Sequence, residues 1–328
     1  MLYRQFEKTS QPKVSILIPV FNREEFIGDC IASALNQTFS DIEIIVFDNA
    51  STDKTWDICK EFSLTDSRMR IFQQCKNVGP VRNWISCAQE ARGMYAKVLF
   101  SDDLLEPDCI EKMQFKMNDD IAFVYSSVKI GEGEENSKIN YLIGGNNKII
   151  KFEEYMNYIV TGKVPYSPGA ALFRTKDLNK NLHVNFKTAI SHDYENHGAG
   201  PDLMIYLLTF ENYKFSYYIS SPLVFFRAHP GSFTIGSRNK DIINSYRSVI
   251  SLFLRKKKSK SYWAKYLAYE WIRLIFRNNY IPIKKFISQN EGANTKLEYI
   301  LFYIGIIIYM QIILKRLFFS VFGKKSES

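Results

Sequence analysis

The chain has 328 residues, 46% of them hydrophobic and 23% charged, enough apolar material for one large core or two modest ones, which excludes a disordered polymer. Its formal net charge of +9 is unevenly placed: from Arg255 onward 15 lysines and arginines face 4 acidic residues, so this stretch carries +11 and the first 254 residues sum to −2. The five cysteines, Cys30, Cys59, Cys75, Cys87 and Cys109, are odd in number and lack C-x-x-C spacing, which argues against zinc or redox chemistry and for a reducing cytosol. In chain order, residues 1–11 are polar and of mixed charge, so no secretory leader is expected. Val14–Val20 is a nearly continuous apolar run, as for a strand covered on both faces. Phe26, Ile27, Ile31, Ala34 and Leu35 then recur at helical spacing. A strand over 42–47, a helix over 55–62, a strand over 69–72, a helix over 81–91 and strands over 96–100 and 121–125 follow. This alternation predicts an α/β fold with a mainly parallel central sheet, in which ligands bind beyond the carboxyl ends of the strands.

Those ends carry the candidate site. The first strand runs into Pro19, Val20, Phe21, Asn22 and Arg23, and the second into Asp48, Asn49, Ala50, Ser51, Thr52 and Asp53. A carboxylate at the Asp48 position suits a base or ribose, whereas Ser51 and Asp53 suit a helix cap. No G-x-G-x-x-G or G-x-x-x-x-G-K-[ST] is present, so neither a dinucleotide fold of the usual kind nor a P-loop is expected. The strand over 96–100 runs straight into Ser101, Asp102, Asp103, Leu104, Leu105, Glu106 and Pro107. Adjacent aspartates repel one another and call for a divalent cation or a hydroxylated ligand, although such a pair also serves as a plain helix start.

Taken together, VSILIPVFN at 14–22, IASALNQ at 31–37, EIIVFDNASTDKT at 43–55, Asn77-Val-Gly79 with Arg82-Asn83, and FSDDLLEP at 100–107 resemble the inverting family-2 glycosyltransferases of GT-A fold. The resemblance covers residues from about 12 to 125 and implies a Rossmann-like nucleotide-sugar-binding domain. It implies that Pro19, Val20, Phe21, Asn22 and Asp48 contact the nucleotide. Asn77, Gly79, Arg82 and Asn83 would line the diphosphate, and Asp102 and Asp103 would carry ribose and metal contacts, the metal being Mn2+ or Mg2+. One departure is that Phe100 stands where the family often has the first aspartate of Asp-x-Asp-Asp.

Beyond residue 125 the resemblance thins to two segments. GAGPDLMIYLL at 198–208 places Asp202 at the head of an apolar helix, where relatives keep their catalytic base, and a helix start favours an ionised carboxylate. Asp193 and Glu195 are the competitors. PLVFFRAHPGSFT at 222–234 resembles an Arg-x-His-x-x-Ser element, which implies that Arg227 adds positive charge near the leaving group and that His229 completes the metal shell or the diphosphate clamp; a structural histidine in a turn is the other reading. Residues 131–147 are rich in Glu, Asn and Gly and predict a mobile loop or insertion.

The expected organisation is a donor half over 1–125, an acceptor and base half over 126–240, and a basic, aromatic, helical region over 241–328 with an apolar segment at 297–322. Trp263, Tyr266, Tyr269, Trp271 and Phe276, among basic residues, suggest aromatic anchors near headgroups. The apolar segment suggests a helix lying in an anionic membrane surface, or alternatively one buried in a helical subdomain or against a second subunit, as in a homo-oligomer. The expected function is metal-assisted, inverting transfer from a nucleotide sugar, of the UDP-sugar type, to a glycan or lipid-linked glycan in surface-polysaccharide or O-antigen assembly. The expected place is the cytoplasmic face of the cell membrane. A non-catalytic scaffold is the rival, and nucleic-acid binding is not expected because the first 254 residues are slightly acidic.

Overall fold

The structure, a computed structural model, describes residues 11–188, 191–231, 240–257, 260–276, 281–289, 300, 302–307 and 310–311. The chain forms two compact units, 1–184 with 193–242, and 185–192 with 243–328.

In the first unit, β1 (Val14–Val20) is buried along its whole length, as its unbroken apolar run requires. It is followed by α1 (Ile27–Leu35), which buries Ile27, Cys30, Ile31 and Ala34 at helical spacing. Then come β2 (Ile42–Asp48), α2 (Thr55–Thr65), β3 (Met69–Gln73) and α3 (Pro80–Gln89), the last with Pro80 at its first position and Gly79 at φ +86 before it. Next are β4 (Tyr95–Val98), β5 (Leu104–Leu105), α4 (Cys109–Gln114), β6 (Ile121–Ser126), β7 (Val128–Gly131), β8 (Lys138–Asn140) and β9 (Lys148–Lys151). The unit is completed by α5 (Phe152–Thr161), β10 (Ala171–Arg174), α6 (Thr175–Asn181), α7 (Tyr194–His197), α8 (Pro201–Phe210), β11 (Phe215–Ile219) and β12 (Val224–Arg227).

Eight strands make one sheet in the order β3-β2-β1-β4-β10-β6-β11-β9. Six run in one direction, and β10 and β9 run against them. β10 therefore sits reversed between β4 and β6, and the sheet continues without a break across residue 125. A second sheet, β5-β12-β7-β8, brings the end of β12 beside the residues that follow β4. The segment 131–147, read as a loop, holds a 3-10 turn at Glu134–Asn136 and β8 paired antiparallel with β7, because the short run KIN folds back on the strand just before it as a hairpin. The strand foreseen over 96–100 is shorter at its end: regular pairing stops at Val98, and the chain turns away after the Leu99 amide bonds Leu17 O at 2.8 Å.

The second unit is helical: α9 (Lys240–Lys257), α10 (Lys260–Phe276) and α11 (Ile283–Gln289). Trp263 and Tyr266, foreseen as headgroup anchors, are interior residues, 0% and 4% exposed, and Trp263 Nε1 donates to Ser251 Oγ at 2.8 Å. The polar tip of Trp263 is thus satisfied by protein and needs no interface. Phe276 is exposed as foreseen. Residues 302–307 are helical and pack on α10, with Phe302 fully buried. Within the apolar segment, 297–299, 301, 308–309 and 312–322 lie outside the described residues. No described helix is long and apolar enough to cross a membrane.

Candidate active site

The ends of β1 and β2 are tied together before any ligand is considered. Asn22 sits at φ +49, a left-handed conformation that Asn tolerates better than most residues. Its amide donates to Ser51 Oγ at 2.9 Å, and its Oδ1 accepts from the Thr52 amide at 2.9 Å. The Arg23 amide donates to Thr55 Oγ1 at 2.7 Å. Asp48 is fully buried, and its carboxylate accepts from the Ser51 amide at 3.0 Å, from the Ser51 hydroxyl and from Gln73 Nε2 at 2.9 Å. Asp48 thus fastens its own turn. Ser51, foreseen as a cap for α2, joins the two loops instead, whereas Asp53 does accept from the Thr55 amide at 3.0 Å. Pro19 and Val20 lie in the register of β1 opposite Phe47 and Asp48, and Phe21 projects beyond them, 37% exposed.

Asn49 extends this network to the turn before α3. Its Nδ2 donates to Asn77 Oδ1 at 2.9 Å, and its Oδ1 accepts from the Val78 amide at 2.9 Å. Asn77 Oδ1 also accepts from the Gly79 amide at 2.9 Å. Asn83 Nδ2 donates to Phe47 O at 2.8 Å, while Asn83 Oδ1 is buried without a hydrogen-bond partner among the described residues. Such an orphan acceptor costs about 1–3 kcal/mol, which a ligand donor would recover. Arg82 makes a bidentate pair with Glu195 of α7 at 3.0 and 2.7 Å, so α7 lies against the first turn of α3.

The acidic corner follows β4. Asp102 Oδ2 lies 3.0 Å from His229 Nε2 and 3.8 Å from Arg23 Nε. Asp103 is buried, its Oδ1 accepting from the Arg227 amide at 3.1 Å. Burial pushes the Asp103 carboxyl well above the usual carboxylate range, and the adjacent Asp102 adds to the rise. The Arg227 guanidinium lies 5.0 Å over the Phe26 ring and 3.3 Å from Asp29 Oδ2, and the Phe26 and His229 rings are 4.6 Å apart. Beneath this corner Lys97 is fully buried, its ammonium donating to Gly169 O and to Val98 O; burial draws its pKa down.

Asp202 is 7% exposed at the first turn of α8, and its Oδ1 accepts from the Gly200 and Leu203 amides at 2.7 Å each. Trp84 joins it to the corner: its ring lies 5.1 Å from that of Phe100. A Cβ added to Gly198 would stand 2.3 Å from Trp84 Cη2. The Asp202 amide bonds Gly198 O at 3.3 Å. The candidate nucleotide, metal and base residues all lie in the first unit, whereas Ser232 and Thr234 of the Arg-x-His-x-x-Ser element lie outside the described residues. Asn49, Trp84 and Asp29 were not singled out. Only Asn49 gave a signal, its place next to Asp48.

Asp102 and His229 meet at one point and offer an oxygen and an imidazole nitrogen, a donor set acceptable to Mn2+ or Mg2+ when phosphate and water oxygens complete the shell. No group of three or more His, Cys, Asp or Glu placed to hold a metal occurs among the described residues. The residues therefore fit a cation shared with a ligand, not a closed protein cage.

The family model described as Glycosyl transferase family 2 matches residues 15–182. The chain is 38% identical over 134 residues to a chondroitin synthase of Escherichia coli, a match covering 38% of this chain and 19% of that protein. It is 26% identical over 147 residues to the glycosyltransferase GlyG of Streptococcus pneumoniae, covering 44% of this chain and 49% of that one. These matches span less than half of either relative. Among solved structures, residues 1–349 of S. aureus TarS in complex with UDP-GlcNAc superpose with a TM-score of 0.63 at 16% identity, covering 91% of this chain and 92% of that one. Identity this low shows a shared α/β fold with a mostly parallel sheet.

Proposed function

This chain belongs to glycosyl transferase family 2, and from that membership we propose that it transfers a sugar from a nucleoside-diphosphate donor, of the UDP-sugar type, to a hydroxyl of a glycan or lipid-linked glycan, inverting the anomeric centre. The observation that supports the reading is the Asp102–His229 contact beside Asp103 and Arg227, which gathers acidic, imidazole and guanidinium groups of the kind a departing diphosphate calls for. The UDP-GlcNAc complex of the structural relative supports the donor class.

In this reading Asn22, Phe21, Val20, Pro19 and Asp48 form the nucleotide side, and the fastened Asp48 turn presets its shape. Asn77, Gly79, Arg82 and Asn83 line the diphosphate, which requires Arg82 to exchange Glu195 for phosphate oxygens. Asp102 and His229, with Asp103 behind them, would hold Mn2+ or Mg2+, which when bound neutralises charge growing on the diphosphate. Arg227 contributes a fixed positive charge that needs no cation. Asp202, its carboxylate aimed by two backbone amides, takes the proton from the acceptor hydroxyl as that oxygen attacks the anomeric carbon. A single displacement of this kind inverts the centre. Residues 1–125 thus serve the donor, 126–240 the acceptor and the base, and 241–328 the cytoplasmic face of an anionic membrane bearing the lipid-linked acceptor, as in surface-polysaccharide or O-antigen assembly.

Thermal unfolding with a panel of nucleotide sugars, with and without Mn2+, tests the donor reading. A cognate donor at 100 times its Kd raises stability by about 2.7 kcal/mol, and a flat panel overturns the reading. Phe100, packed on Trp84 in place of a family carboxylate, favours a non-catalytic scaffold as the rival; donor binding without release of UDP or transfer would select it.

A further inference from the structure

The sequence offers two membrane-facing candidates, the aromatic α10 and the apolar segment after it, and the structure separates them. Trp263 and Tyr266 of α10 are interior. The helical residues at 302–307 then pack one side onto α10: Phe302 is fully buried, its ring 6.4 Å from that of Trp271. A Cβ on Gly305 would stand 2.8 Å from Ala268 Cβ and 3.2 Å from Lys265 Cα. This is a small-residue seam, too close for any side chain on the Gly305 side. The opposite side, among the described residues, is apolar and exposed: Ile300, Tyr303, Ile304, Ile307 and Met310 are 46, 50, 44, 58 and 41% exposed. Their spacing, i, i+3, i+4, i+7 and i+10, is that of one helix face.

We infer that this stripe is the lipid contact of the protein, lying in the interface of an anionic membrane while the Gly305 seam holds it to its own helical unit. The inference rests on the membrane part of the proposed function and names the surface that does it. Charge selects the occupant. The sequence from Arg255 onward carries +11, with Lys296 before the segment and Lys315 and Arg316 after it. Anionic headgroups attract that charge, whereas pairing with a second copy would bring together two segments of the same net charge, +11 each. A helix with one apolar face and one face held to protein is also the geometry of interfacial insertion.

The test is flotation of the full chain with phosphatidylcholine vesicles, with or without phosphatidylserine, beside size measurement in vesicle-free buffer. Wild type floats with the anionic vesicles. Ile304→Glu and Ile307→Glu, at exposed positions, keep the thermal midpoint and nucleotide-sugar binding but lose vesicle partitioning by about tenfold or more. Ile306→Ser, off the stripe, partitions like wild type. Flotation unchanged in both Glu variants overturns the stripe, and no flotation of wild type overturns the membrane reading beneath it. A vesicle-free dimer that the Glu variants dissociate assigns the face to a second copy and overturns the inference too. None of these outcomes bears on catalysis, which nucleotide-sugar binding reports separately.

Discussion

Asp202 and Asp103 are both buried carboxylates, but different neighbours set their tasks. Two amides at 2.7 Å hold one oxygen of Asp202, and asparagine can accept the same bonds. Asp202→Asn should therefore leave fold and donor affinity intact while transfer falls by about 10²–10⁴-fold; a variant that still turns over removes Asp202 as the base. Asp103 holds its proton more tightly when folded than when unfolded. Its contribution to stability is thus fully present below the ordinary carboxylate range and is lost as pH rises through the raised value. Asp103→Asn keeps an acceptor for the Arg227 amide but carries no charge. Its thermal midpoint should exceed that of wild type by roughly 2 °C or more at alkaline pH, the gain shrinking on acidification, while metal-dependent donor binding weakens. An equal midpoint across the pH range would show that Asp103 is not strained by burial. The sequence made Asp103 visible because neighbouring acids after a strand are conspicuous, and Asp202 because it heads an apolar helix in a segment that resembles the family's base position. It did not show that Asp48 is occupied within its own turn, since Gln73 reaches it only through the register of β2 with β3.

At the scale of elements, the strand ends are held as a set by short side chains from different loops. Gly198 shows how little room remains: it sits at φ +67 and faces Trp84 at 2.3 Å for an added Cβ. Gly198→Ala should cost about 2–4 kcal/mol, part from the left-handed backbone and part from the clash. Urea unfolding of the Gly198→Ala, Trp84→Phe double variant should recover the clash part only; full recovery would show that the backbone conformation costs nothing. Helices and parallel strands were legible because β1 reads as an unbroken apolar run and α1 as a 3.6-residue repeat. The reversed β10 was not, since ALFR is too short to stand out and its direction depends on partners at 95–97 and 123–125. The packing of α7 on α3 was equally hidden, because Arg82 and Glu195 are 113 residues apart.

For the whole molecule, the division of charge is the lever. With −2 up to residue 254 and +11 after it, association with anionic vesicles should weaken steadily as salt rises from about 0.05 to 0.3 M, where screening shortens to well under 10 Å, while nucleotide-sugar affinity changes far less. Parallel loss of both would place the basic charge at the donor site instead. Buried Lys97 in β4 has a further consequence during synthesis. By residue 98 the ribosome has delivered β1, β2, β3 and β4, a complete four-stranded layer, but β10, which closes the β4 edge, ends only at Arg174. For those seventy-odd residues the nascent layer has an open flank, and an ammonium in the middle of that flank discourages neighbouring polysomal chains from zipping onto it. The lysine that native packing later encloses is the residue type that natural strand edges carry against such pairing.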